Sequence, residues 1–168
     1  TPLYSSAASD VYKRQASGGL IAPALQRVTV GQGGYACLVD GASLAPGEAA
    51  LTVEAFTRRP HVLVSSGGFI GVVDEVLHGM GQTRRVLAAT THFAALPFLM
   101  QGSDALATLP AHAARGLAAV TGLRLLPCPI AMPGYAIEMG WRADALRDEA
   151  VAAARRCLLG LLQGYRWE

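Results

Sequence analysis

Short apolar runs alternate with longer segments of helical periodicity along most of the chain, and this alternation limits the possible folds more than any other feature. Strand-sized runs lie at residues 35–39, 61–64, 86–90, 105–109 and 123–126. Segments with a helical pattern lie at residues 52–57, 69–80, 93–101 and 111–120. Because continuous apolar strands of this length suit a sheet that is covered on both faces, the order of these segments predicts a doubly wound α/β layer.

The ends of the predicted helices carry local signals. The polar residues 65–68 (SSGG) open a helix, and Gly79 or Gly81 can supply the left-handed residue that ends it. Pro97 falls near the second turn of the helix predicted at 93–101, where it either kinks the helix or marks a later start. Pro110 stands where the first residue of the next helix (N1) is expected, which is a favoured position for proline.

The C-terminal part of the chain has a different pattern. Pro127, Pro129 and Pro133 make residues 128–134 an extended connector, because each proline removes a donor and biases the preceding residue away from helix. A strand is predicted at residues 135–141. A long amphipathic helix with a leucine-rich stripe is predicted after it, at residues 143–162.

Composition and charge exclude several classes of protein. With 52% apolar and 15% charged residues, the chain is too apolar for a disordered tail and is expected to bury a core. No apolar run approaches the roughly 20 residues of a spanning helix, so we expect a soluble, cytoplasmic protein without a membrane partner. The formal net charge is +2 and the arginine pairs are far apart, which argues against a basic face that binds DNA.

Residues that often carry chemistry are scattered. The odd number and apolar surroundings of Cys37, Cys128 and Cys157 predict buried free thiols, with a disulfide as the alternative. The histidines form no HExxH motif or other ligand spacing, so neither a metal nor a cofactor is predicted. Asp74 and Glu75 are adjacent in a helix and face different directions, which predicts surface residues rather than a paired-carboxylate site.

The first 15 residues differ from the rest of the chain. They are polar and rich in serine, and they contain Lys13, the only lysine. They also lack the apolar core of a secretory signal. We expect a non-native or disordered leader that takes no part in the fold.

From about Tyr35 to Trp141, an ordered set of segments resembles the effector-binding domain of LysR-type transcriptional regulators. The set begins with LTVEAF (51–56) and RPHVLVSS (59–66) and continues with VDEVL (73–77) and RRV (84–86). A phenylalanine-led helix and a strand that closes in LP (109–110) follow. Each piece alone is a weak signal, and the resemblance rests on their order and spacing.

The resemblance implies a type 2 periplasmic-binding-protein-like α/β fold, with two lobes around a cleft. It assigns residues 16–34 to the end of the first lobe and the crossover, and residues 35–128 to a nearly complete second lobe. Residues 129–168 become the return connector, strand and long helix of the first lobe. Since no helix-turn-helix pattern is present, the chain is expected to be a C-terminal fragment of a regulator.

The residues expected to contact an effector follow the ends of strands, where an open α/β sheet forms its ligand crevice. Helix N-termini there favour a carboxylate or another anion, although a plain cap and turn is the alternative. The phenylalanines in the set either cover the effector or fill the core. The candidates are Ser65, Ser66, Gly67, Gly68, Phe69, Thr91, His92, Phe93 and Thr108.

The resemblance implies a sensor without enzymatic activity that binds a small organic molecule, anionic or aromatic, in the cleft. A homo-oligomer is expected for the full-length protein, with DNA bound only through the absent N-terminal helix-turn-helix. The alternative is a transporter solute-binding protein with the same fold. A hydrolase using Ser65 or Ser66 with His92 and Asp104 is disfavoured, because no GxSxG elbow is present.

Overall fold

The computed structural model describes residues 24–65 and 71–167, which divide into two units. The larger unit contains Gln32–Tyr135 and the segment from Tyr165 onward, and the smaller contains Ala136–Gly164 and the residues up to Gly31. The strands are β1 (Gln26–Gly33), β2 (Tyr35–Asp40), β3 (Pro60–Val64), β4 (Arg85–Thr90), β5 (Leu106–Pro110), β6 (Leu123–Pro127) and β7 (Tyr135–Trp141). The α-helices are α1 (Val53–Arg58), α2 (Val72–Gly79), α3 (Leu96–Met100), α4 (Ala111–Thr121) and α5 (Glu149–Gln163).

The larger unit is built on a five-stranded sheet with the strand order β4-β3-β5-β2-β6. β3 runs parallel to β4 and β5, whereas β2 is antiparallel to β5 and β6. The carboxyl ends of β3, β4, β5 and β6 therefore share one edge of the sheet with the start of β2. The five predicted strands of this unit and the α/β fold class are confirmed.

Apolar side chains cover both faces of this sheet. Along β2, Leu38 packs into one buried cluster, while Cys37 and Val39 pack into the other. Helices α3 and α4 contribute Met100 and Ala114 to the first cluster. The second cluster contains residues of α1 and α2, including the fully buried Phe56 and Leu77. Burial on both sides explains why the strands are continuous apolar runs.

Helix ends in the larger unit differ in part from their sequence signals. α3 begins only at Leu96, after a short 3-10 turn, so Pro97 marks a later start of the helix. Pro110 was predicted at N1 of α4 but occupies its N-cap, so the helix begins one residue later, at Ala111. α2 runs from Val72 with Gly71 as its N-cap, and residues 66–69 of the predicted helix opening lie outside the described residues. The left-handed residue after α2 is Gly81, with φ of 67°.

The smaller unit contains a strand that the sequence pattern did not reveal. β1 pairs with β7 in a two-stranded sheet, and Trp141 donates a hydrogen bond from Nε1 to Gln26 Oε1 over 2.9 Å. The Arg155 guanidinium lies 4.0 Å from the centre of the Trp141 ring. No residue of α5 is buried, and Leu161 is 66% exposed.

The prediction of a single helix at residues 143–162 was wrong. A 3-10 turn at Ala143–Arg147 is separated from α5 by Asp148, whose backbone is extended. The Asp148 carboxylate accepts hydrogen bonds from the N–H groups of Ala150 and Val151, at 2.8 and 3.3 Å. A side chain that accepts the free N–H groups at the first turn of a helix fixes where that helix begins. Asp148 therefore starts a new helix within the amphipathic pattern.

The cysteines are free, as predicted, but they are not uniformly buried. Cys37 is buried, Cys128 is half-buried and Cys157 is exposed. Cys157 lies on α5, which buries no residue, so the prediction of a buried thiol from its apolar surroundings was wrong there. Among the described helices, none is long and apolar enough to cross a membrane.

Two glycines of α4 give a matched test of its conformation. Gly122 ends the helix with φ of 73°, whereas Gly116 lies within the helix and has open space where a Cβ would stand. Gly116→Ala is expected to raise the free energy of unfolding by about 0.5–1 kcal/mol, and Gly122→Ala to lower it by about 1 kcal/mol. Urea unfolding followed by circular dichroism measures both. Equal effects of the two substitutions would contradict the left-handed cap.

Candidate functional site

The carboxyl ends of β3 and β4 bring two of the predicted segments together. Ser65 follows β3 directly, and its N–H donates to the carbonyl oxygen of Thr90, the last residue of β4, over 2.9 Å. Ser65 is therefore held beside the residues that follow Thr90. Ends of adjacent parallel strands form a crevice in open α/β sheets, and this edge is the candidate ligand site.

The segment after β4 presents three exposed side chains, those of Thr91, His92 and Phe93. The His92 N–H donates to Thr90 Oγ1 over 3.2 Å, which fixes the turn that begins here. Phe93 opens the 3-10 turn and is 39% exposed, so it does not fill the core. A hydroxyl, an imidazole and an aromatic ring are thus exposed at three consecutive positions of this turn.

Thr108 lies within β5 rather than at its end. It pairs with Cys37 of β2, and the Thr108 Oγ1 and Cys37 Sγ atoms are 3.6 Å apart. This contact directs its hydroxyl toward the sheet face that carries Cys37. Ser66, Gly67, Gly68 and Phe69 lie outside the described residues. The predicted roles of these five residues stay predictions.

An ion pair that the sequence analysis missed fixes the start of α2. Asp74 accepts two hydrogen bonds from Arg84, from Nε at 2.8 Å and from Nη2 at 2.6 Å. It also accepts the N–H of Gly71 over 2.7 Å. The Arg84 side chain is 1% exposed and that of Asp74 is 25% exposed. The prediction that Asp74 is a surface residue was therefore wrong. It failed because the partner, Arg84, lies ten positions away and no local signal in the sequence indicates the contact.

The electrostatics of Asp74 follow from these contacts. Burial by itself raises the pKa of this carboxyl. The hydrogen bonds from Arg84 and Gly71, with the positive charge of Arg84, outweigh burial and hold the pKa of Asp74 below its ordinary value. Asp74 is thus a carboxylate that stabilises both the cap of α2 and a buried guanidinium.

His61 of β3 joins the same network. Its Nε2 lies 2.8 Å from the carbonyl oxygen of Phe56 and its Nδ1 lies 3.3 Å from Arg84 Nη1. A carbonyl can only accept, so Nε2 carries the proton and Nδ1 accepts from Arg84. Burial first, with a smaller contribution from the Arg84 charge, lowers the pKa of His61 to about 4. The hydrogen bond to Phe56 and the charge of Asp74 oppose this shift. His61 is thus a neutral, hydrogen-bonded core residue.

The strand directions argue against the hydrolase alternative. Asp104 precedes β5, whereas Ser65 and His92 follow the carboxyl ends of β3 and β4. Because these strands run parallel, Asp104 lies at the opposite edge of the sheet. Its carbonyl oxygen there accepts a hydrogen bond from Arg59, which directly precedes β3, over 3.0 Å. A triad of these residues does not form.

Residues 21–163 match the model of one protein family, described as the LysR substrate binding domain. The chain is 34% identical over 112 residues to the HTH-type transcriptional activator NahR of Pseudomonas putida; these cover 66% of this chain and 37% of NahR. It is 33% identical over 111 residues to Nodulation protein D 2 of Sinorhizobium fredii, which cover 65% of this chain and 36% of that protein. The chain thus spans little more than a third of these curated relatives.

Solved structures with a similar fold include the regulatory domain of MexT, a transcriptional activator in Pseudomonas aeruginosa. That match has a TM-score of 0.71 and 31% identity, and covers 85% of this chain and 68% of that one. The effector binding domain of QuiR in complex with shikimate matches with a TM-score of 0.68 and 10% identity, covering 89% of this chain and 70% of that one. At that identity the second match shows the fold alone, which is the type 2 periplasmic-binding-protein-like fold.

Proposed function

The chain belongs to the family of LysR substrate-binding domains, and from this premise we propose that it is the effector-sensing part of a transcriptional regulator. A small organic molecule, anionic or aromatic, binds at the edge of the sheet where β3 and β4 end, beside Ser65, Thr91 and His92. The observation that supports the proposal is the backbone hydrogen bond from Ser65 to Thr90, which holds Ser65 beside the turn that continues with Thr91 and His92. Each can hydrogen-bond a polar ligand, and the exposed Phe93 ring beside them can cover its apolar part.

In this proposal the ligand acts by stabilising one arrangement of the regulator over another. A ligand shifts such an equilibrium only by its difference in affinity for the two states, so no chemical change of the ligand is needed. The relatives named transcriptional activators support a role in transcription. We place the regulator in the cytoplasm as a homo-oligomer that contacts DNA through a separate N-terminal helix-turn-helix, and we infer no enzymatic activity.

Removing three polar groups from the strand edge tests the proposal. A panel of carboxylates that includes shikimate and benzoate is first screened by thermal shift, and the best ligand is titrated by calorimetry. Ser65→Ala, Thr91→Ala and His92→Ala combined are expected to weaken its binding about 10- to 100-fold, because two or three hydrogen bonds are lost. The same variant in the full-length regulator is expected to need a correspondingly higher ligand concentration for its transcriptional response.

A substitution on the same unit provides the control. His78 lies exposed near the end of α2, away from the strand edge, and His78→Ala should leave the affinity unchanged. Unchanged binding in the triple variant would show that the effector contacts other residues. A transcriptional response to the ligand from a regulator that lacks its DNA-binding module would contradict the regulatory role.

A further inference from the structure

A cavity of about 330 Å³ lies in the larger unit at the other end of the strand order from Ser65 and His92. Its walls are the start of β2 (Gly34, Tyr35 and Ala36), the first part of α4 (Ala111 and Arg115) and the end of β6 (Leu125, Leu126 and Pro127). β5 and β3 separate it from the residues that follow β4. It shares the carboxyl edge of the sheet with the proposed effector site but is lined by other strands.

The lining of this cavity combines one cation with apolar walls. Arg115 is the only charged residue among the residues that line it. A guanidinium presents its N–H donors in a planar fork that matches a carboxylate, and apolar walls favour a hydrocarbon body beside that carboxylate. The cavity therefore has the chemistry to accept a small organic carboxylate.

The Arg115 guanidinium already donates a hydrogen bond to a backbone carbonyl of the same chain. Its Nη1 donates to the backbone carbonyl of Arg166 over 3.2 Å. One turn earlier on α4, the His112 ring meets the Trp167 ring edge to face, with centroids 5.3 Å apart at 88°. Tyr165 packs on Trp167 with ring centroids 4.6 Å apart. The C-terminal segment Tyr165–Trp167 is thus docked on the face of α4 that carries His112 and Arg115.

We propose that the cavity beside Arg115 is a second ligand position for a small organic carboxylate, and that the C-terminal segment competes with this ligand for the guanidinium. A charged carboxylate is a stronger partner for arginine than a neutral backbone carbonyl. A bound carboxylate therefore displaces the Arg166 carbonyl and loosens the Trp167 contact with His112. While it is docked, the segment lowers the apparent affinity by reducing the fraction of the chain that is ready to bind.

Cyclohexanecarboxylate is a suitable probe because it is transparent where tryptophan absorbs. The sequence contains two tryptophans, so Trp141→Phe leaves Trp167 as the single reporter on the segment. In this background, titration with cyclohexanecarboxylate is expected to change the fluorescence emission of Trp167 until it saturates. Calorimetry should give the same affinity. Cyclohexylmethanol, which has the same ring without the charge, should bind at least about tenfold more weakly, since it lacks the charge-assisted bonds.

Variants separate the two parts of the proposal. Arg115→Met is expected to lose at least about tenfold in affinity and Arg115→Lys less, because lysine keeps the charge without the fork. A chain that ends at Gly164 is expected to bind the probe several-fold more tightly. Arg85→Met, which removes an exposed arginine of β4, is the matched control and should leave affinity unchanged.

The outcomes also separate this site from the proposed effector site. Thr91→Ala with His92→Ala should leave binding of the probe at Arg115 unchanged. Equal binding to the intact chain and to Arg115→Met, with circular dichroism showing both folded, would overturn the second ligand position. Unchanged affinity in the shortened chain would overturn the competition by the C-terminal segment.

Discussion

Replacement of Arg84 by methionine is expected to lower the free energy of unfolding by about 3–5 kcal/mol, as for other buried pairs that lose one partner. The side chain is 1% exposed and donates twice to Asp74 and once to His61. Methionine fills much of the same volume but leaves the Asp74 carboxylate partly buried without its counter-charge. Urea unfolding followed by circular dichroism measures the loss.

A surface pair gives the matched control for this prediction. The side chains of Arg142 and Asp144 are both 53% exposed and are joined over 2.7 Å, so Arg142→Met is expected to cost far less stability than Arg84→Met. Arg84→Met combined with Asp74→Asn should recover part of the stability, because the amide oxygen still accepts the Gly71 N–H and no unpaired charge remains. If Arg84→Met cost no more than Arg142→Met, the ion pair would not stabilise the larger unit.

Acidification is expected to destabilise the chain through His61 between about pH 6.5 and 4. Burial depresses its pKa from 6.5 to about 4, so the native state resists a proton that the unfolded state accepts. The contribution is fully present above pH 6.5, is lost as the pH falls toward 4, and amounts to about 3 kcal/mol in total. Asp74 adds its own loss only below its unfolded value of 3.8.

Unfolding titrations at several pH values test this dependence against two variants. His61→Gln should remove most of the loss between pH 6.5 and 4. His112→Gln should remove a smaller part, since burial and then Arg115 lower the pKa of that imidazole as well. Direct titration of the His61 ring by NMR gives a second measurement. A native pKa near 6.5 would contradict the buried, neutral histidine.

The predictions from sequence succeeded where hydrophobic periodicity and burial agree. β2 to β7, α1 and α4 were found within two residues of their bounds, because each has a strong apolar pattern or a local signal such as Pro110. β1 was missed because its exposed and buried residues do not alternate regularly. The helix predicted at 143–162 failed because Asp148, a polar residue on an amphipathic pattern, acts as a cap rather than as part of the exposed face.

The sequence predicted only those residues of the candidate site that follow the ends of strands. Parallel strands place their carboxyl ends at one edge, so Ser65 could be associated with Thr91 and His92 without a structure. The Asp74–Arg84 pair could not be predicted, since Arg84 lies beyond the end of α2 and reaches back to Asp74 in its first turn. The docking of Trp167 on His112 was also beyond sequence, because these residues are 55 positions apart.

Local periodicity and spacing were enough to predict the α/β class, the resemblance to LysR effector-binding domains and the order of most elements. Which polar groups are buried and paired could be seen only in the folded chain. His61, Asp74 and Arg84 lie in segments whose patterns predict nothing unusual, yet together they form the internal network that fixes the start of α2. A polar side chain is stable in the interior only when its partners surround it in space, and that arrangement is a property of the folded chain.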